Sequence, residues 1–124
     1  MIKVLVVDDN KESAALYCDV LELENFVAQA ELNGAAAIER CRLWSPDAIV
    51  IDIELPDMSG IELARQLKEQ LGYGGTIVGT SGYDPEKANS LGADRYFDHF
   101  IQKPIDVDRL IELLDGAAAA PGPA

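Results

Sequence analysis

The sequence predicts a doubly wound α/β fold: a five-stranded parallel sheet with five helices covering both faces. Three observations carry this. Strand-like and helix-like patterns alternate five times along 124 residues. The strand-like runs at residues 2–7 and 48–51 are almost continuously apolar, as strands buried on both faces must be. The connections are short, which suits β-α units packed in sequence order.

In chain order, residues 3–7 read as the first strand. The first helix follows, with Ala14, Tyr17, Cys18 and Leu21 at helical spacing. Residues 26–30 read as the second strand, and Asn33-Gly34 turns the chain. The second helix carries Ala37, Ile38 and Cys41 on one face and stops near Trp44, before Ser45-Pro46. Residues 48–51 form the third strand. Ser59 and Glu62 stand three apart and predict a capping box at the start of the third helix, whose inner face is Leu63, Ala64, Leu67 and Leu71. Gly72 and Gly74-Gly75 break that helix. Residues 76–80 form the fourth strand, and Asp84-Pro85 reads as the cap and first-turn proline of a short fourth helix. Residues 92–98 make a long approach to the fifth strand, residues 99–102. The fifth helix starts at Asp106 and carries Val107, Leu110, Ile111 and Leu114. Residues 1–116 are expected to form the domain. Residues 117–124, all Ala, Gly and Pro, are expected to be a flexible tail or the start of a linker.

Acid collects at one place. The first strand ends in Asp8-Asp9, and the third ends in Asp52. In an open parallel sheet, ligands bind outside the C-terminal ends of the strands. Three carboxylates meeting there repel one another and call for a cation. Thr80 and Lys103 fall at or just past the same ends of the fourth and fifth strands. Singly, each residue has an ordinary reading: Asp9 or Asn10 as a helix cap, Asp52 as a solvated loop acid, Thr80 as a strand end, Lys103 as a surface cation. Their joint order is what carries information.

That order, with Pro56, Gly60 and Lys103-Pro104, resembles the receiver domain of two-component response regulators over residues 2–114. The resemblance implies a flavodoxin-like strand order of 2-1-3-4-5. It implies that Asp52 accepts a phosphoryl group from a histidine kinase or phosphotransfer protein. It implies Mg²⁺ held by Asp8, Asp9, Asp52 and the backbone carbonyl of Glu54, a hard cation suited to carboxylates and phosphate oxygens. Lys103 and Thr80 would pair with the phosphoryl oxygens. Thr80 and Phe100 would act as the switch, read out on the surface of the fourth helix, fifth strand and fifth helix. The Lys103–Pro104 bond would be cis. The target would be a downstream protein or a fused effector domain.

Several positions depart from the usual pattern. Ser81 follows Thr80 where a smaller residue is frequent, and Gly82 offers the site no side chain. Glu54 adds a carboxylate at the rim. These leave the lifetime of the phosphoryl group open. Tyr83, Tyr96, Phe97 and the lone His99 lie on the readout side, and His99 has no partner motif that would make it a ligand.

Two other functions compete. A phosphohydrolase with an aspartate nucleophile usually places a second Asp two residues on; position 54 is Glu, and no cap domain to hold a substrate is expected. A pseudo-receiver would keep the fold without the chemistry, but the acid, Thr and Lys set is intact. The expected protein is a signalling switch, not an enzyme acting on external substrates.

The net charge of -12 opposes nucleic-acid binding and docking on anionic lipid, both of which use Lys and Arg. No apolar run approaches the roughly 18 residues that span a bilayer. The chain starts directly on a strand, so no signal peptide is expected. Cys18 and Cys41 fall on apolar helix faces and read as buried free thiols, in keeping with a reducing, cytoplasmic setting.

Overall fold

The computed structural model describes residues 1–119. Its elements run β1 (Lys3–Val7), α1 (Lys11–Leu23), β2 (Val27–Glu31), α2 (Gly34–Trp44), β3 (Ala48–Asp52), α3 (Gly60–Glu69), β4 (Thr76–Ser81), α4 (Pro85–Ser90), α5 (Ala93–Tyr96), β5 (His99–Gln102) and α6 (Val107–Ala119). The five strands are parallel, in the order β2-β1-β3-β4-β5. This is the predicted flavodoxin-like sheet. The central β3 is buried along its whole length, which explains its unbroken apolar sequence.

Alternation along the strands feeds two cores. Leu5, Val7, Ile49, Ile51 and Ile77 face α2 to α5, and Val4, Val6, Val50 and Val78 face α1 and α6. Leu63 and Leu67 of α3 are fully buried on the first face. Each such side chain contributes about 1.5–3 kcal/mol by leaving water. Cys41 belongs to the first core and Cys18 packs on the second, so the sheet separates them. Burial pushes both thiols up to about 11, which leaves them protonated and unreactive.

Helix starts follow their caps. Asn10 Oδ1 accepts from Ser13 N and begins α1. Asn33 is a cap as well as a turn residue, accepting from Ala36 N. Asp84 accepts from Lys87 N, with Pro85 in the first turn of α4. Asp106 accepts from Arg109 N at the start of α6. At α3, half of the expected capping box forms. Ser59 Oγ accepts from Ile61 N, but Glu62 does not reach back. Its carboxylate is held by Arg65, whose Nε lies 2.7 Å from Glu62 Oε2. A guanidinium offers a stronger, charge-assisted partner than a neutral backbone N–H.

Among the described residues, the expected five helices are six. Residues 92–98 contain the one-turn helix α5, which starts from Gly92 in the left-handed region at φ 100° and has no side-chain cap. A helix this short does not hold itself together, so tertiary contacts must fix it. Two are visible. Asp98 N donates to Ile77 O at 2.8 Å, and Asp98 Oδ2 accepts from Ile77 N at 2.7 Å, tying the segment to the start of β4. Phe97 is buried against Gly79, where a Cβ would stand 2.1 Å from the phenyl ring. The missing side chain of β4 is thus replaced by a ring from the segment before β5. We expect Gly79→Ala to lower stability by about 1–3 kcal/mol, the usual cost of overpacking. The urea midpoint should fall with an unchanged slope; an unshifted midpoint would contradict this packing.

The last helix continues through Ala119, three residues beyond the expected domain end at 116. The rest of the expected tail, residues 120–124, lies outside the described residues. No helix among the described residues is long and apolar enough to cross a membrane.

Candidate functional site

The site is assembled from four strand ends. Parallel pairing of β1 with β3 sets Val7 opposite Ile51, so Asp8-Asp9 emerge beside Asp52. In the next ladder Asp52 stands opposite Thr80. Beyond β5, Lys103 N donates to Ser81 O at 2.7 Å, which extends the β4–β5 pairing to the lysine itself. The Lys103–Pro104 peptide is cis.

Carboxylate oxygens of Asp8, Asp9 and Asp52 lie within 4.8 Å of one another. Asp8 and Asp52 are 3% and 6% exposed, whereas Asp9 faces solvent at the rim. Lys103 Nζ lies 2.8 Å from Asp52 Oδ2 and 3.2 Å from Asp8 Oδ2. The other oxygens accept backbone N–H groups two residues on: Asp52 Oδ1 from Glu54 N at 3.0 Å, and Asp8 Oδ1 from Asn10 N at 2.9 Å. Each buried carboxylate therefore has one oxygen on the backbone and one on the ammonium. Burial works against the Lys103 charge. The hydrogen bond to Asp52 and the charges of Asp52 and Asp8 outweigh it, and the lysine pKa is raised above its ordinary value.

The donor set fits a hard divalent cation. Three carboxylates with few competing positive groups suit Mg²⁺ better than a soft metal, and one protein ammonium cannot balance all three. Asp8, Asp9 and Asp52 would hold such an ion, with the Glu54 carbonyl in the loop that follows β3.

Thr80 is buried beside Asp52. Phe100 is half-buried and sits opposite Gly79, so its ring belongs to the face occupied by Phe97, and Thr80 belongs to the other face. Glu54 and Pro56 are exposed, and Gly60 is buried. A Cβ on Gly60 would lie 2.1 Å from the Asp52 carbonyl oxygen, so only glycine lets α3 begin this close to the acceptor strand. His99 is exposed.

Three features were not singled out for the site in the sequence. Tyr17 of α1 is half-buried, and burial raises its phenol pKa; Lys103 opposes that shift, while Asp8 and Asp52 add to it, which puts the ring in the field of the site. Phe97 occupies the space over Gly79. Asp57, in the loop after β3, accepts from Gly34 N and Ala35 N at 2.8 and 2.9 Å. These two bonds hold its carboxyl below the usual carboxylate range. A residue capping a helix that starts 23 positions earlier leaves no local sequence signal.

Comparison with known proteins places the chain among relatives. Residues 4–115 match the response regulator receiver domain family. The chain is 33% identical over 116 residues to the polar-differentiation response regulator DivK of Brucella anthropi, covering 90% of this chain and 91% of that protein. It resembles the CheY-like response regulator receiver domain of Methylobacillus flagellatus, with a TM-score of 0.83 and 31% identity over 94% of this chain and 98% of the other. It also resembles the response regulator TrrA of Thermotoga maritima, solved in complex with Mg²⁺-BeF, with a TM-score of 0.85 and 25% identity over 94% and 99% of the two chains.

Proposed function

Because the chain belongs to the receiver domain family of two-component response regulators, we propose that Asp52 is its phosphoryl acceptor and that Mg²⁺ is its working cofactor. The observation that supports this best is the cluster itself. Asp8, Asp9 and Asp52 converge from two strands, and Lys103 reaches in from a third to touch two of them.

The chemistry follows from those groups. A carboxylate oxygen of Asp52 attacks phosphorus, forming an acyl phosphate. The bond from phosphorus to the donor nitrogen or oxygen breaks, and the leaving group keeps the electron pair and takes up a proton. When bound, Mg²⁺ supplies the charge that lets an anionic phosphoryl group enter an acidic cleft. The chain's own groups do the rest. Lys103 already bridges Asp8 and Asp52, and a phosphoryl oxygen gives its ammonium a new partner. Thr80, opposite Asp52, offers its hydroxyl to another oxygen. Hydrolysis later returns Asp52 through attack of water on phosphorus.

Loss of the Lys103–Asp52 pair and movement of Thr80 would bias the face formed by α4, β5 and α6, with Phe100 as the aromatic that follows. The donor would be a histidine kinase or a phosphotransfer protein. The receiving end would be a partner protein or a fused effector domain. The acidic net charge opposes a direct role on nucleic acid or lipid. A cytoplasmic location suits a domain of this kind. Its catalysis would be confined to its own phosphorylation and dephosphorylation, since Glu54 stands where Asp-nucleophile phosphohydrolases carry a second aspartate.

Beryllofluoride with Mg²⁺ tests this reading without a kinase. The expected result is a set of saturable amide shifts at residues 8–9, 52–54, 80 and 100–103, absent when Mg²⁺ is withheld. Unchanged spectra at high Mg²⁺ and beryllofluoride would sink it.

A further inference from the structure

The acids of the site sit at strand ends, where the ladder fixes them. The Glu54 carbonyl does not: it belongs to the loop of residues 53–59, whose shape must be set by something else. One end of that loop is closed by Gly60 N donating to Ile53 O at 2.7 Å and by the Glu54–Ser59 bridge. The tip is held elsewhere. Asp57 grips the first two N–H groups of α2, with each carboxylate oxygen taking one. Met58 packs on Gly34, so closely that a Cβ there would stand 2.7 Å from its Cγ and Sδ atoms. The start of α2 follows directly on β2, and β2 is paired to β1 up to Val7–Glu31, with Asp8 N donating to Glu31 O at 3.2 Å.

These contacts close a circuit. One wall of the acidic cleft is Asp8-Asp9 on β1; the other is Asp52 and Glu54 on β3 and its loop. Asp57 ties the loop of the second wall to the element bonded to the first. We propose that Asp57 is a positioning residue for the Mg²⁺ cradle, a clasp that fixes the Glu54 carbonyl relative to Asp8 and Asp9. The proposal rests on reading Asp8, Asp9, Asp52 and Glu54 as the metal site. Mg²⁺ demands near-ideal octahedral geometry, so a loop ligand that wanders costs affinity. Residues that only orient ligands typically change metal affinity by tenfold or more when removed.

The test is Mg²⁺ titration of the full chain followed by amide shifts, with no phosphoryl donor present. Asp57→Ala should raise the half-saturating Mg²⁺ concentration about tenfold. Asp57→Asn keeps one acceptor oxygen and should fall between Asp57→Ala and wild type. Phosphorylation by acetyl phosphate should recover most of its rate in Asp57→Ala once Mg²⁺ is raised to match. A plain helix cap would behave differently: Asp57→Ala would lose thermal stability and bind Mg²⁺ as wild type does, and that result overturns the proposal. If wild type itself shows no Mg²⁺ response, the metal-site reading falls, and the clasp falls with it. Equal Mg²⁺ affinity in wild type and Asp57→Ala removes the clasp alone.

Discussion

Asp52→Asn should abolish the phosphoryl adduct, dropping it to background with acetyl phosphate or with a phosphorylated kinase domain. An amide oxygen is a far weaker nucleophile than a carboxylate and yields no stable acyl phosphate. Little else should change in the fold. The side-chain oxygen of Asn can still accept from Glu54 N, as Asp52 Oδ1 does at 3.0 Å. Lys103 keeps Asp8 as a partner at 3.2 Å. One of three crowded negative charges disappears, so stability without Mg²⁺ should hold or rise slightly. Mg²⁺ affinity should fall, since one ligand carboxylate is gone. The check is phosphate incorporation alongside a urea melt: a stable variant with no adduct is the expected pair. An adduct that persists in Asp52→Asn would place the acceptor elsewhere.

Lys103→Met should produce the largest effect on stability. Asp8 and Asp52 are buried, and the Lys103 ammonium is the positive group that meets both. Removing one partner of a buried ion pair leaves an uncompensated charge, worth about 3–5 kcal/mol where both partners are fully buried. Lys103 is about a quarter exposed at its side chain, so water partly screens it, and we expect a loss of about 2–3 kcal/mol. Mg²⁺ should restore much of that loss, because an ion bound only by the folded state stabilises it by mass action. The raised lysine pKa fixes the sign of the pH dependence. Lys103's contribution is fully present below the unfolded lysine value of about 10.4 and is lost as pH rises through the higher folded value. The gap between wild type and Lys103→Met should therefore be steady near neutral pH and close in strong alkali. In the variant, phosphorylation should shift Asp52 and its neighbours without the matching shifts at Thr80 and Phe100. Equal shifts in both proteins would show that Lys103 does not couple the site to the surface.

The sheet was legible because its central strands, β1 and β3, leave little ambiguity. Burial on both faces forces an unbroken run of Val, Ile and Leu, and the acids that end β1 and β3 stand out against it. Asp8, Asp9, Asp52, Thr80 and Lys103 could be brought together from sequence because a parallel order puts every strand's C-terminal end on one edge. What escaped was non-local. The one-turn helix α5 is too short for a periodic pattern, and it is held by Phe97 on Gly79 and by Asp98 on Ile77. Each of those partners lies well back along the chain. Glu62 matched the spacing of a capping box but found a guanidinium in Arg65 on its own helix. Asp57 carries no local signal, and only the approach of α2 gives it a role. Local rules find caps and strands; they do not see which distant backbone a side chain will meet.

Borohydride trapping puts the main claim to its most direct test. Acyl phosphates are reduced to alcohols, so a phosphorylated aspartate becomes homoserine and can be located by peptide mass mapping. After incubation with Mg²⁺ and acetyl phosphate, homoserine is expected at position 52 and nowhere else, and not when Mg²⁺ is omitted. Homoserine at position 8 or 9, or none at all in folded, Mg²⁺-loaded protein, would contradict the account.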